Sequence, residues 1–190
     1  MYITAGMIEQ IEAKYGQPVE IQRAYELTPD QLALVRRGQR HGRCHDVTLV
    51  IVEGDQIVVT RKPSYPAAAF RTPSGGVEVG EAFEAGAARE AREETGLQIA
   101  LERYLIRAQV RFSCGDETVL WTSHVMQARK IGGLLQPLDT REIVEAKWAS
   151  RDEILGPIQD ALMASGSPGL CYRAELDALA LSLLREQPAT

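Results

Sequence analysis
The sequence predicts an α/β fold, a sandwich of helices around a mixed β-sheet. Strand-length runs at residues 47–52 and 57–61 are β-branched and apolar. Segments with helical spacing are interleaved with them. The size fits one domain, or a domain with an appendage: 190 residues, 45% hydrophobic and 25% charged, are globular usage and enough for a core without disulfide staples.

The elements follow in order. Met7, Ile8, Ile11 and Tyr15 fall on one helical face and stop at Gly16. Val19, Ile21, Tyr25 and Leu27 alternate, with Arg23 the exception, and predict a strand over 18–27. Thr28, Pro29 and Gln31 supply an N-cap, a first-turn proline and a capping-box partner. Arg36 and Arg37 before Gly38 suit that helix's C-terminus. A hairpin spans 47–61 around a turn at 53–56, and two prolines make 62–69 a loop. Residues 82–95, rich in Ala and Glu and followed by Gly96, form the strongest helix signal. Strands follow near 100–111 and 117–128, then a long connection leads to Lys147, Trp148 and Ala149. A terminal helix carries Leu176, Leu179, Ala180, Leu183 and Leu184 on one stripe facing the core.

Charge and cysteine usage exclude some classes. With 21 Lys+Arg against 26 Asp+Glu the net charge is −5, which argues against a general nucleic-acid binder while leaving room for a local phosphate pocket. Arg36, Arg37, Arg40 and Arg43 are read as a solvated basic face or an anion clamp rather than a nucleic-acid arm. Cys44, Cys114 and Cys171 are odd in number and far apart, which predicts a reducing, cytoplasmic setting. His41, Cys44 and His45 fall short of the four ligands of a structural zinc and are read as loop or strand-edge residues. No export signal and no membrane span is expected, because the apolar runs are only strand-length.

The chemistry concentrates at 73–97. On a helix turning ~100° per residue, Glu90, Glu93 and Glu94 share one ~100° arc. Like charges at those spacings repel by about 0.2–0.5 kcal/mol per pair, which an Arg89–Glu93 pair offsets only in part. Three clustered carboxylates ask for a cation, and hard oxygen donors suit Mg2+ or Mn2+. Ahead of the helix, Ser74, Gly75 and Gly76 let the backbone approach a ligand closely.

Gly75, Glu81, Arg89, Glu90, Ala91, Glu93, Glu94, Gly96 and Leu97, at these spacings, resemble the signature of the Nudix hydrolases. Two positions depart softly: Ala91 stands where the family usually has Ile, Leu or Val, and Ser74 where many members have Gly. The resemblance covers 23 residues directly and the element order over roughly 45–155. It implies a Nudix-type α/β/α sandwich over 45–190, with residues 1–44 as an N-terminal helix–strand–helix extension. It also implies hydrolysis of a pyrophosphate in a nucleoside diphosphate linked to another moiety.

By the same resemblance, Glu90, Glu93 and Glu94 are metal ligands, Arg89 holds the carboxylates in place, and Glu81 supports the loop or a metal-bound water. The Ser74 or Gly75 carbonyl adds a ligand. The general base is a signature glutamate or a later loop carboxylate, Glu142 or Glu145. Arg61, Lys62 and Arg71, with Ser74, Gly75 and Gly76, are the substrate-binding candidates, and Tyr65, Phe70 or Trp121 the candidates for stacking on a base. The proline of ADP-ribose enzymes and the tyrosine of dinucleoside-polyphosphate enzymes are both missing: Arg111–Ser113 and Cys114 occupy those places. The partner expected is a small nucleotide derivative, and the apolar terminal helix and the extension could also pair subunits into a homodimer. The competing reading is a non-catalytic sensor of the same fold. It would be expected to lose signature glutamates, and here all are present.

Overall fold
The computed structural model of the chain describes residues 2–39 and 42–184. Its elements are α1 (Ala5–Tyr15), β1 (Val19–Glu26), α2 (Pro29–Gly38), β2 (His45–Glu53), β3 (Gln56–Arg61), β4 (Ser74–Gly75), α3 (Phe83–Thr95), β5 (Leu97–Cys114), β6 (Glu117–Gly133) and β7 (Glu145–Ser150). A helical run follows, α4 (Arg151–Glu153), a π-turn (Ile154–Ile158) and α5 (Gln159–Ala164), and then α6 (Pro168–Leu183).

The strands form one mixed sheet in the order β1-β5-β6-β2-β3-β7, with β4 beside β2. β1–β5 and β2–β6 are parallel and the other pairs antiparallel. Period-two alternation on β2 divides the core. Val47, Leu49 and Ile51 face a cluster with Phe83, Ala87 and Ala91 of α3 and Ile11 of α1. Val50 faces the opposite cluster with Leu170, Leu176 and Leu181 of α6 and Leu32 of α2. Helices thus cover both faces, which is the expected sandwich.

The edge of β2 away from β6 is shared. Glu53 and Val52 pair with β3, while Thr48 and Val47 pair with Ser74 and Gly75. Between them the Leu49 N–H donates to the Pro73 carbonyl (2.9 Å). This fork seats the glycine loop in the sheet, directly over α3.

Thr28 caps α2 through both arms of a capping box, and Gly96 ends α3 in the left-handed conformation (φ 76°). Three details depart from the sequence reading. Gly38 closes α2 from inside and Gln39 is its C-cap. β5 and β6 are longer than 100–111 and 117–128, because register shifts at Gln98/Ile99, Leu101/Arg103 and Tyr104/Ile106 let the ladder run on where the alternation breaks. Between β7 and α6, where the sequence reading names no element, lies the helical run 151–164. Residues 19–26 build an edge strand of the same sheet, registered from Val19↔Ile106 to Glu26↔Ser113.

All three cysteines are free. His45 Nδ1 lies 3.2 Å from His124 Nε2, and the two rings stack. Arg40 and His41, named above, lie outside the described residues. Among the described residues no helix is long and apolar enough to cross a membrane.

Candidate active site
Small residues bring α3 against the sheet: Gly86, Ala87 and Ala91 are buried in its inner face. Ala91 is therefore accommodated by packing, and the chemistry of the face beside it is unaltered. A Cβ at Gly75 would lie 1.9 Å from Glu90 Cδ, so only glycine lets this carboxylate reach the loop backbone.

Arg89 braces the site. Its Nε and Nη2 donate to the two oxygens of Glu81 (3.0 Å each), and its Nη1 donates to Glu90 Oε1 (3.0 Å) and Glu93 Oε2 (3.1 Å). Nη2 also donates to the Gly76 carbonyl (2.7 Å). Glu81 Oε2 in turn accepts from the Glu78 N–H (2.9 Å). One guanidinium therefore ties loop, helix and three carboxylates together, and its pair with Glu93 is the one the helical spacing implies. Hydrogen bonding from Arg89 holds Glu81 below the usual carboxylate range.

The three helix glutamates share an arc but differ in burial. Glu93 is exposed, Glu90 is half-buried, and Glu94 is only 2% exposed. Glu90 Oε1 accepts from the Gly76 N–H (3.0 Å), and Glu94 Oε2 accepts from the Ser74 N–H (3.0 Å). Burial pushes both carboxyls upward, against the charge of Arg89 for Glu90 and of Arg71 for Glu94. Among the described residues no three metal-ligating side chains converge on one point, with Arg89 holding one oxygen each of Glu90 and Glu93. The donor set nevertheless fits a hard divalent cation. It is all carboxylate and carbonyl oxygen, and the buried Glu94 Oε1 has no hydrogen-bond partner.

Arg71, a substrate-binding candidate from sequence, is 3% exposed and works behind the loop. Nη1 donates to the Thr72 carbonyl and Ser74 Oγ (2.8 Å each), Nε donates to Tyr65 OH (3.2 Å), and Nη2 lies 3.8 Å from Glu94 Oε1. Burial opposes its charge, but Tyr65 and Glu94 outweigh that and raise its pKa. Arg61 and Lys62 are paired with the two loop carboxylates, Arg61 with Glu145 (3.0 Å) and Lys62 with Glu142. Of these, the Glu142 charge reaches Glu94 and helps raise its carboxyl. Phe70 is buried beneath Arg61 and Lys147 and is closed to a base, whereas Tyr65 and Trp121 are half-buried.

Sequence reasoning missed the support supplied by α6. Asp177 accepts from the Thr72 N–H (3.2 Å) and Oγ1 (2.5 Å). Arg173 donates to Thr48 Oγ1 (2.7 Å) and to Asp46. Burial alone would raise Asp46, yet the Arg173 charge holds it low; Asp177 is raised by its burial. The signal was present. At ~100° per residue Arg173 and Asp177 fall in the same arc as Leu176 and Ala180, so charges sit inside an apolar stripe.

The chain is thus a mixed α/β/α sandwich that presents a braced carboxylate helix against a glycine loop. Residues 42–167 match the NUDIX domain family, and the chain belongs to it. It is 28% identical over 106 residues to the Pseudomonas aeruginosa "NAD-capped RNA hydrolase NudC", covering 56% of this chain and 36% of that protein. It is 34% identical over 110 residues to the Mycobacterium tuberculosis protein of the same name, covering 57% and 33%. The chain thus spans about a third of the length of these curated relatives. Among solved structures, a NUDIX hydrolase from Nitrosomonas europaea aligns with TM-score 0.53 at 24% identity, over 75% of this chain and 96% of the other. An ADP-ribose pyrophosphatase from Streptococcus suis aligns with TM-score 0.51 at 20% identity, over 76% and 93%. These likenesses show the fold.

Proposed function
We propose that this chain is a pyrophosphohydrolase, dependent on Mg2+ or Mn2+, that cleaves a nucleoside diphosphate linked to another moiety. The observation that carries the reading is Glu94, buried with one oxygen that accepts no hydrogen bond, beside Glu90 and the glycine loop. Membership of the family and the similarity to NAD-capped RNA hydrolases support it. Glu90, Glu93 and Glu94 would hold the cation, together with a Ser74 or Gly75 carbonyl. When bound, a divalent cation there supplies neutralisation of the pyrophosphate charge and a lowered pKa for water.

The chain's own groups do the rest. Arg89 ties Glu90 and Glu93 to each other and to Glu81, which restricts where the carboxylates can go. Arg71 and the Ser74 N–H fix Glu94 from behind. Glu142 is the favoured loop base: a water proton passes to its carboxylate while Lys62 keeps that side chain over the site. Glu145, on β7 opposite Arg61, is the second candidate. Arg61 would meet substrate phosphate by exchanging its partner Glu145, and Lys62 would add its charge from beside Glu142.

The test is phosphate-ester product release with Mg2+ or Mn2+ from a panel of ADP-ribose, NAD+, nucleotide sugars, dinucleoside polyphosphates and nucleoside triphosphates. Glu93→Gln and Glu94→Gln are the controls. Metal-dependent turnover lost in the controls is expected. Tight nucleotide binding without turnover would replace the reading with the sensor.

A further inference from the structure
Among the buried or half-buried arginines, Arg61, Arg71, Arg89, Arg107 and Arg173 each face a carboxylate, and Arg103 donates to the Leu183 carbonyl. Arg43 differs. It is half-buried, its Nε is sealed from solvent without a hydrogen-bond partner, and among the described residues it forms no ion pair. A guanidinium that has given up water at a donor and gained no acceptor is costly to keep unless a ligand supplies one.

Its position identifies the ligand's side of the site. A Cβ placed on Gly76 would lie 1.8 Å from Arg43 Nη1, 2.7 Å from Cζ and 2.9 Å from Cδ. The guanidinium therefore lies directly on the Gly76 backbone. The neighbouring glycine does the same for the opposite charge, since a Cβ on Gly75 would overlap the Glu90 carboxylate. Two consecutive glycines thus bring an anion and a cation against one short stretch of main chain. The base of Arg43 is fixed as well: the next residue, Cys44, accepts from the Thr122 N–H (2.8 Å), where β2 begins its ladder with β6.

We propose that Arg43 is a substrate-binding residue that grips a phosphate oxyanion of the nucleoside diphosphate against the glycine loop. The inference rests on the function proposed above for the same site. A planar fork with fixed donors matches two phosphate oxygens in a way an ammonium does not. Gly76 is then required because a side chain there would displace the fork.

The experiment measures two quantities on Arg43→Gln and Arg43→Lys. One is thermal stability without ligand. The other is ADP affinity with Mg2+ by calorimetry, with KM and kcat on the best substrate of the panel alongside. The expected result is an unchanged or raised Tm and an ADP affinity at least ~10-fold weaker for Arg43→Gln, with the loss in KM rather than kcat. Arg43→Lys should recover only part, because the charge returns without the fork. An ADP affinity equal to the parent's overturns the proposal. So does a Tm fall of more than about 5 °C in both variants, which would mean that the guanidinium has a structural partner. A parent that does not bind ADP also overturns it. A parent that binds ADP through Arg43 but hydrolyses nothing leaves this inference standing and removes the hydrolase. Turnover with KM unchanged in Arg43→Gln does the reverse.

Discussion

Adding one methyl group at Gly75 separates the position of Glu90 from its presence. In Gly75→Ala the new Cβ would lie 1.9 Å from Glu90 Cδ and Oε2 and 2.5 Å from Oε1, where ordinary contact begins at 3.4 Å. The carboxylate must retreat by about 1.5 Å, the difference of those two distances. Gly75 does not have a positive φ, so alanine brings no backbone strain. Because the obstacle is the far end of a flexible side chain, the fold adapts. The cost is the Gly76 N–H and Arg89 bonds to Glu90, about 1–3 kcal/mol by urea unfolding. Activity should suffer more, since a misplacement of ~1 Å at a reacting centre costs about 100-fold. The assay is kcat/KM on the best substrate of the panel, at saturating Mg2+, beside an unfolding curve. A variant within twofold of the parent would refute the reasoning, because Glu90 would then work equally well 1.5 Å away.

Other consequences can be checked in the same preparations. Arg71→Met leaves Glu94 buried without its countercharge and should cost about 3–5 kcal/mol in urea unfolding; a loss under 1 kcal/mol would mean the 3.8 Å pair matters little. His124 is buried, and desolvation with the His45 charge pushes its pKa down to about 3. Its unfolded value is about 6.5, so the unfolded chain takes up a proton that the folded one refuses as pH falls from ~6.5 towards ~3. The stability it contributes is intact above pH 6.5 and declines by about 2 kcal/mol between pH 6.5 and 5, and His124→Phe should flatten that slope by one proton. An identical slope in the variant would sink the assignment. Thr28→Ala removes one arm of the capping box on α2 and should lower stability by about 1 kcal/mol, seen as a shifted urea midpoint at constant slope.

Local signals were the legible part of the fold. Thr28, Pro29 and Gln31 encode the start of α2, and Gly96 the end of α3, because caps are satisfied within a few residues. The Arg89–Glu93 pair was readable because helical spacing makes side chains at i and i+4 neighbours. The extent of β5 and β6 was not, because bulges shift the alternation and only the partner strand shows that pairing continues.

The candidate site divides along the same line. Sequence by itself determined that Glu90, Glu93 and Glu94 share one helix face with Arg89 and that Gly75 and Glu81 precede them, since spacing on one loop and one helix is a local property. Tertiary structure alone decided their electrostatics. Glu94 is buried and Glu93 exposed, although the two are adjacent, because the sheet closes over one side of α3 only. Arg71, a substrate-binding candidate in the sequence, is buried beside Glu94 because the β2 fork draws the glycine loop into the sheet. Asp177 reached Thr72 across 105 positions, and the Arg43 head came to rest on Gly76. Contacts between groups so far apart in the chain depend on how whole elements pack, and no local pattern of residues specifies that.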